Sequence, residues 1–204
     1  MMRLPLIKAT LIFLLLSFSL QTQAMEPREI IQQSAHEVLT KINANRADYE
    51  ANPEKLIQLV DDVLMPWFDD VYAARLILGR HGRGVPADKI QLFASAMQDL
   101  LVERYASSML GFKSKDQLEV LKLRGKNTEK LTRVRARIAL ANNQWVPVEY
   151  SFHKVGDMWK MFDVTAEGIS YIITYRNQIG PMVQADGIDA VIENLRSGSV
   201  KLKD

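Results

Sequence analysis

Three histidines, His36, His81 and His153, are the side chains of this sequence best suited to bind a metal ion or to act as a general base. They fall in three different predicted elements, and none stands at metal-ligand spacing from another. His36 lies beside Glu37 on an amphipathic helix, and His153 lies on the polar side of a predicted strand, so we expect both at the surface. The histidines therefore indicate neither a metal centre nor a catalytic pair.

The segment 79–84, GRHGRG, superficially resembles a phosphate-binding loop. A dinucleotide-binding loop needs the order G-x-G-x-x-G after a strand and before a helix. Here the glycine spacing is reversed and a predicted helix comes first. We therefore interpret the segment as the C-cap of a helix followed by a turn.

Two adjacent aspartate pairs, at positions 61–62 and 69–70, invite a general acid–base or metal-binding interpretation. Adjacent residues on a helix point about 100° apart, so neither pair converges on one atom, and solvated helix faces explain them better. Asp163, on an aromatic-rich strand, is the first candidate for an acid–base group with a tyrosine partner. The favoured alternative is that its carboxylate caps the next turn. The sequence contains no nucleophile-elbow motif.

The first 24 residues have the pattern of a secretory signal peptide. Arg3 and Lys8 are basic, the segment 9–20 is apolar, and residues 22–24 offer a small-residue cleavage site. An apolar run of about twelve residues is short for a membrane span, which needs roughly 20. We predict cleavage after Ala24, which leaves residues 25–204 as a single domain large enough for a sizeable core.

Charge and cysteine content restrict the function classes. Cleavage would reduce the 26 basic residues to 24, equal to the 24 acidic ones, so a general role in binding nucleic acid or anionic membranes loses its main support. The sequence has no cysteine, which excludes thiolate catalysis, disulfides and cysteine-ligated metals. Export without disulfides suits a bacterial periplasm.

Helices are predicted on both sides of a central sheet. Apolar residues recur on one side of the segment 27–43, and Asn52-Pro53 is an N-cap followed by proline at the first helical position. Pro66 begins a helix that ends at Gly79, and Pro86 begins the longest helix, which ends near Leu110. The segments 169–184 and 186–196 are the last two predicted helices.

The central sheet is predicted to be an antiparallel meander. In the segment 132–140, apolar residues alternate with a polar row that contains three arginines, which predicts one covered and one wet face. The segment 145–164 is a hairpin with its turn at 155–157, and 118–124 is a basic edge strand. Helices packed on a mostly antiparallel sheet of about four strands define an α+β fold.

Several segments carry a family resemblance by their order and spacing behind a signal peptide. They are 66–69 (PWFD), 78–80 (LGR), 93–106, 146–150 (VPVEY), 159–164 (WKMFDV), 167–170 (EGIS) and 175–178 (YRNQ). Together they resemble the MlaC family, also called the toluene-tolerance auxiliary family, over essentially the whole predicted mature chain.

The resemblance implies a curved sheet with helices on its concave side, a nuclear-transport-factor-like cone around a deep apolar cavity. The cavity would hold the acyl chains of a phospholipid as cargo, with the headgroup outside and without a cofactor. The resemblance also implies a monomeric, non-enzymatic carrier in the periplasm of a Gram-negative bacterium. Such a carrier shuttles phospholipid between an outer-membrane lipoprotein–porin complex and an inner-membrane ABC transporter with a ring of lipid-binding domains, which maintains outer-membrane lipid asymmetry.

Inward-facing positions of the predicted elements are our candidates for the wall of that cavity. The predicted lipid-binding residues are Phe93, Met97, Leu100, Leu101, Tyr105, Val134, Ile138, Val148, Tyr150, Phe152, Phe162, Ile169, Ile172 and Tyr175. Trp159 and Phe162 point to opposite faces of their strand, and the pattern leaves open which of them is inward.

Two other functions stay open on the residues alone. A pocket hydrolase or isomerase on the same fold would show a buried aspartate or histidine facing an apolar cavity. A periplasmic interaction module would show a fully packed core without a cavity.

Overall fold

The computed structural model describes residues 25–125, 127–140, 142 and 144–203. The predicted signal peptide, residues 1–24, lies outside these ranges. Within them the chain forms an α+β fold of six α-helices and one open, curved sheet of five antiparallel strands. None of the helices in the described ranges combines the length and the apolar character that crossing a bilayer requires.

Five helices precede the sheet. They are α1 (Pro27–Ala44), α2 (Arg46–Ala51), α3 (Pro53–Val63), α4 (Asp70–Leu78) and α5 (Ala87–Ala106). α3 begins at Pro53 as predicted. α4 begins later than predicted, because Met65–Trp67 forms a 3-10 turn and Phe68 then pairs with the backbone of Met161. The first helical residue of α4 is consequently Asp70 and not a residue next to Pro66.

The strands form a meander in chain order. They are β1 (Leu118–Val120), β2 (Thr132–Ala139), β3 (Trp145–Val155), β4 (Met158–Ala166) and β5 (Ile169–Ser170). The predicted hairpin is present, and Gly156 in its turn has φ +59°, which favours glycine. The register between β3 and β4 shifts between Ser151 and Phe152, so β4 carries one extra residue, Phe162.

β5 corrects the prediction that a helix begins at Ile169. Glu167 and Gly168 both have positive φ, and this tight turn returns the chain alongside β4, where Ile169 pairs with Ala166. The helix α6 (Tyr171–Arg196) starts two residues later than predicted. It is also longer than α5, although Gly187, at φ 79°, divides it close to the predicted break between two helices.

The buried apolar side chains of the described residues fall into three groups. One joins α4, α5 and α6 and includes Phe93 and Tyr175, and a second joins α1, α3 and the end of α5. The third lies on the sheet, where Ile30 and Ile31 of α1 pack with side chains of β2, β3 and β4. The sheet group and the helical group around Phe93 share no member, so the core is divided between the sheet and the helices.

Candidate functional site

One face of the sheet is lined by apolar side chains, and we call it the inner face. Cross-strand partners share a face, so the register defines its membership. Apart from Thr132 and Lys154 at its end, the main inner-face positions are Leu118, Val120, Val134, Ala136, Ile138, Val146, Val148, Tyr150, Phe152, Trp159, Met161, Val164, Ala166 and Ile169. The predicted alternation of β2 is confirmed, since its three arginines lie on the opposite face and are exposed or half-buried.

One end of the inner face is closed by α1. Ile30 and Ile31 cover it, and Val134 and Phe152 beneath them are both 0% exposed. Trp159 completes this group. This arrangement answers the question that the sequence left open, because Trp159 is the inward aromatic residue of β4.

The other end of the inner face is open. Ile138 and Val146 are cross-strand partners and are only half-buried, while Leu118, the other partner of Ile138, packs against the closed group. Ile169 of β5, which pairs with Ala166 of β4, is 62% exposed. Ile173, in the first turn of α6, is also exposed. Ile169 therefore lies at an exposed edge, which differs from the interior position that we predicted for it.

Tyr150 lies between the two ends. Its ring packs against the closed group that contains Val134 and Phe152. Burial raises the pKa of the Tyr150 phenol to about 12, because the phenolate form would lose its hydration. The middle of the inner face is thus already a poor environment for charge.

The predicted wall residues on the helices divide into two sets. Phe93, Met97, Ile172 and Tyr175 are buried within the group formed by α4, α5 and α6. The others, Leu100, Leu101 and Tyr105, are half-buried.

Tyr105 lies in a small tyrosine cluster. Its hydroxyl oxygen is 3.0 Å from that of Tyr175, and the ring of Tyr171 contacts both rings. The prediction omitted Tyr171, although its spacing of four residues from Tyr175 places both on one helix face. Val146 and Val164 were also omitted; alternation with Val148 could have identified Val146, whereas Val164 lies beyond the bulge in β4, which strand alternation does not reveal.

Phe162 faces the opposite way from the other predicted wall residues of the sheet. As the extra residue of the bulge in β4, it turns to the outer face, where its ring contacts those of Tyr72 and His153 at centroid distances of 5.1 and 5.3 Å. The prediction that Phe162 faces inward is therefore wrong. A bulge changes the side-chain alternation by one residue, which strand periodicity does not reveal.

A histidine–aspartate pair on the outer face was also missed. His153 Nε2 lies 2.9 Å from Asp69 Oδ2, and the two side chains are only 13% and 21% exposed. The ring of Tyr72 stacks on the imidazole at 4.2 Å. The expectation that His153 and Asp69 are solvated is wrong, and no local signal marks a pair separated by 84 residues.

The partners of Asp69 indicate a structural role for this pair. Asp69 Oδ1 accepts a hydrogen bond from the backbone N–H of Tyr72 and caps α4, while the Asp69 N–H donates to the carbonyl of Met161. A cavity of about 470 Å³ adjoins His153, and its walls include four charged residues: Glu129, Lys130, Lys154 and Asp157. The pair does not face an apolar cavity, which is the feature expected of a pocket enzyme.

Asp163 caps the next element, as its favoured interpretation predicted. Its Oδ2 accepts from the Ser170 hydroxyl at 2.6 Å, and its Oδ1 accepts from the Ile172 N–H at 3.1 Å. Both carboxylate oxygens therefore stabilise the start of α6. The capping function explains a carboxylate at this position without acid–base chemistry.

The remaining polar candidates are also placed by the structure. Segment 79–84 follows α4 as a C-cap and turn, with Gly79 at φ 51°, and His36 is exposed, both as predicted. Asp61 is half-buried and not solvated as expected. Burial raises the pKa of the Asp61 carboxyl above its usual value. A hydrogen bond with Gln98 lowers this pKa, but by less than burial raises it. The part of the chain described by the structure contains no group of three or more histidine or acidic residues that could hold a metal ion.

Comparison with known proteins identifies a consistent set of relatives. The family model described as MlaC protein matches residues 32–197. The intermembrane phospholipid transport system binding protein MlaC of Haemophilus influenzae is 26% identical over 93% of this chain and 91% of its own length. The toluene tolerance protein ttg2D of Pseudomonas putida is 23% identical over 90% of this chain and 86% of its own length.

A solved structure has the same fold. The phospholipid-binding protein of Ralstonia solanacearum, determined in complex with a phospholipid, superposes with a TM-score of 0.74. The alignment covers 85% of this chain and 96% of that one, at 20% sequence identity. The agreement supports the α+β architecture described above.

Proposed function

The chain belongs to the MlaC family, and from this premise we propose that it is a periplasmic phospholipid carrier whose cargo contacts the inner face of the sheet. The observation that carries the proposal is the graded exposure of that face. Apolar side chains run from the closed end, where Val134 and Phe152 are fully buried, to the open end at Ile138 and Val146. An acyl chain could enter at the open end and replace water along a continuous apolar surface.

The divided core is consistent with this proposal. A fully packed interaction module would join its sheet and helical side chains in one contiguous core. Here the sheet group and the group around Phe93 are separate. We therefore place the cargo between the inner face and the half-buried residues Leu101 and Tyr105 of α5.

The energetics favour a weakly discriminating apolar surface. Burying one methylene is worth about 0.8 kcal/mol, so two acyl chains of roughly thirty carbons in total would gain more than about 20 kcal/mol. That sum exceeds the practical limit of non-covalent affinity. A carrier does not need this gain, because its donor and acceptor already hold the lipid in hydrocarbon. Its binding surface needs only to give the acyl chains about the same free energy as they have in the bilayer.

The partners proposed for this carrier follow from its relatives. The name of the Haemophilus influenzae relative places that protein in an intermembrane phospholipid transport system. We propose that this chain likewise exchanges phospholipid with an inner-membrane ABC transporter and with an outer-membrane lipoprotein–porin complex. Its predicted signal peptide would deliver it to the periplasm between the two membranes.

Extraction of the purified protein tests the proposal. The mature chain is purified from bacterial cells without detergent, extracted with organic solvent, and analysed by mass spectrometry. We expect stoichiometric phospholipid in the organic phase. Recovery of no phospholipid from folded protein, in repeated preparations, would contradict the proposal.

A matched pair of variants on β3 locates the cargo. Val148→Glu introduces a carboxylate on the inner face, and Val155→Glu makes the same change at an exposed position on the outer face. We expect phospholipid occupancy to fall in Val148→Glu only, with circular dichroism showing that both variants are folded. Equal occupancy in the two folded variants would exclude this part of the inner face as the binding surface.

A further inference from the structure

The outer face of the sheet carries a row of arginines that the carrier function does not explain. Arg133, Arg135 and Arg137 alternate along β2 and lie opposite Ser151, Glu149 and Pro147 of β3. The side chains of Arg133 and Arg137 are about half exposed, and Trp145 of β3 lies beside them, 40% exposed. We call the surface formed by these three arginines and Trp145 the arginine face.

The arginine face has an excess of positive charge. Arg133 pairs with Glu149 at 3.0 Å, and Arg137 pairs with Glu119 at 2.6 Å. Among the described residues, no carboxylate lies within ion-pair distance of Arg135. Three guanidinium groups thus share two carboxylates, although the predicted mature chain as a whole has equal numbers of basic and acidic residues. The positive charge is a local feature of this surface.

The arginine face consists of two residue types, arginine and tryptophan, that are common in protein–protein interfaces. The guanidinium carbon of Arg137 lies 4.6 Å from the centre of the Trp145 ring, a cation–π contact that holds both groups in place. Arginine and tryptophan are enriched among the residues that contribute most to protein interfaces. The planar guanidinium also binds a carboxylate through two parallel hydrogen bonds. We propose that the arginine face is a docking surface for an acidic surface of a protein that exchanges lipid with this carrier.

Two observations favour an acidic protein over an anionic membrane as the occupant. Glu119 and Glu149 lie among the arginines, so a uniformly negative lipid surface would meet two carboxylates as well as the cations. The cross-strand neighbour of Arg135, Glu149, is already paired with Arg133, so a protein surface can direct an acidic group at Arg135 and keep its other acidic groups away from Glu119 and Glu149. In addition, the arginines stand on rigid strands at fixed spacing, which suits a fixed pattern of partner groups.

The position of the arginine face connects docking to the cargo. Val134 and Ala136 lie between the arginines in sequence, Ile138 follows Arg137, and all three project from the same strand to the inner face. A partner bound to the arginines would therefore bind side chains of a strand that also lines the proposed lipid site. This inference rests on the proposed function, because the partners are those of a lipid carrier.

Binding measurements with purified components test the inference. The probes are the periplasmic lipid-binding domains of the inner-membrane transporter and the outer-membrane lipoprotein, both from the same bacterium. The lipid-loaded protein is compared with Arg135→Gln, Arg135→Glu and Trp145→Ala. Arg83→Glu, which changes an exposed arginine in the turn after α4, is the matched control for charge reversal.

We expect Arg135→Glu to weaken binding to at least one of the two protein probes by about tenfold or more. Arg135→Gln and Trp145→Ala should have smaller effects, and Arg83→Glu should bind like the unmodified protein. Added salt should weaken binding of the unmodified protein more than that of Arg135→Glu. Phospholipid content, measured on the same samples, should be unchanged.

Three results would overturn the inference. One is unchanged binding of folded Arg135→Glu to both probes, and another is failure of the lipid-loaded, unmodified protein to bind either probe. The third comes from a parallel assay with vesicles containing phosphatidylglycerol. If Arg135→Glu loses binding to these vesicles only and keeps its binding to both protein probes, the arginine face is a membrane-binding surface. Loss of phospholipid from the unmodified protein would instead contradict the proposed function, so the two failures are distinguishable.

Discussion

The two ends of the inner face are built from the same strands and similar residues, yet they differ in exposure. At the closed end, Phe152 and Val134 are fully buried under Ile30 and Ile31 of α1. At the open end, Ile138 and its neighbours are only half-buried. β2 and β3 alternate in the same way at both ends, so the difference in their exposure comes from the position of α1. In this fold a helix that covers part of a sheet leaves the remainder available for an apolar ligand.

Truncating a side chain at each end tests this contrast and should have the largest effect. We expect Phe152→Ala to lower the free energy of unfolding by about 3–5 kcal/mol, because it leaves a cavity in a closed group. Val146→Ala at the open end should cost about 1 kcal/mol or less, since its side chain is only half-buried. Urea denaturation measures both values. Equal losses would mean that the two ends are packed alike.

Removing the histidine–aspartate pair tests whether the closed end depends on contacts from the outer face. His153 follows Phe152 in β3 and holds Asp69 at the start of α4. His153→Ala should lower the free energy of unfolding by about 1–3 kcal/mol, because Asp69 loses a half-buried hydrogen-bond partner. A double-mutant cycle with Asp69→Ala should show that the two losses are not additive. Fully additive losses would indicate that the pair contributes nothing as a pair.

Tyr150 lies between the two ends, and the titration of its phenol should show how strongly this part of the inner face is buried. Its pKa in the folded protein, about 12, is above the ordinary value of 10.0, so unfolding favours loss of the proton. Its contribution to stability is therefore fully present below about pH 10 and is lost as pH rises towards about 12. Absorbance titration of the tyrosines should show one late component that disappears in Tyr150→Phe. A titration curve unchanged by this substitution would refute the assignment.

A charge at the open end should have the smallest effect on stability while affecting the cargo. We expect Ile138→Glu to change the free energy of unfolding by about 1 kcal/mol or less, because the carboxylate can reach water from a half-buried position. Phospholipid occupancy should nevertheless fall, since an ionised group would lie where an acyl chain enters. Urea denaturation and lipid quantification on one sample distinguish the two effects. Unfolding of this variant would show that Ile138 belongs to the closed core.

Much of the architecture was predictable because it depends on local patterns. Alternation in β2 identified its covered and wet faces, and Asn52-Pro53 marked the start of α3. The family resemblance added the prediction that the sheet of this α+β fold is curved. Short elements were less predictable. β5, with two residues, forms only because a turn with positive φ returns the chain to β4, whereas we predicted a helix from Ile169 in spite of its β-branched residues.

Composition and periodicity alone establish which residues are apolar and which faces of long elements they share, because periods of 2 and 3.6 residues follow from backbone geometry. Tertiary structure decided the rest. The bulge in β4 turned Phe162 outward and left Trp159 inward, and chain segments 84 residues apart brought Asp69 to His153. It also decided which end of the inner face α1 covers, since only the packing of a helix on the sheet determines which apolar residues stay accessible.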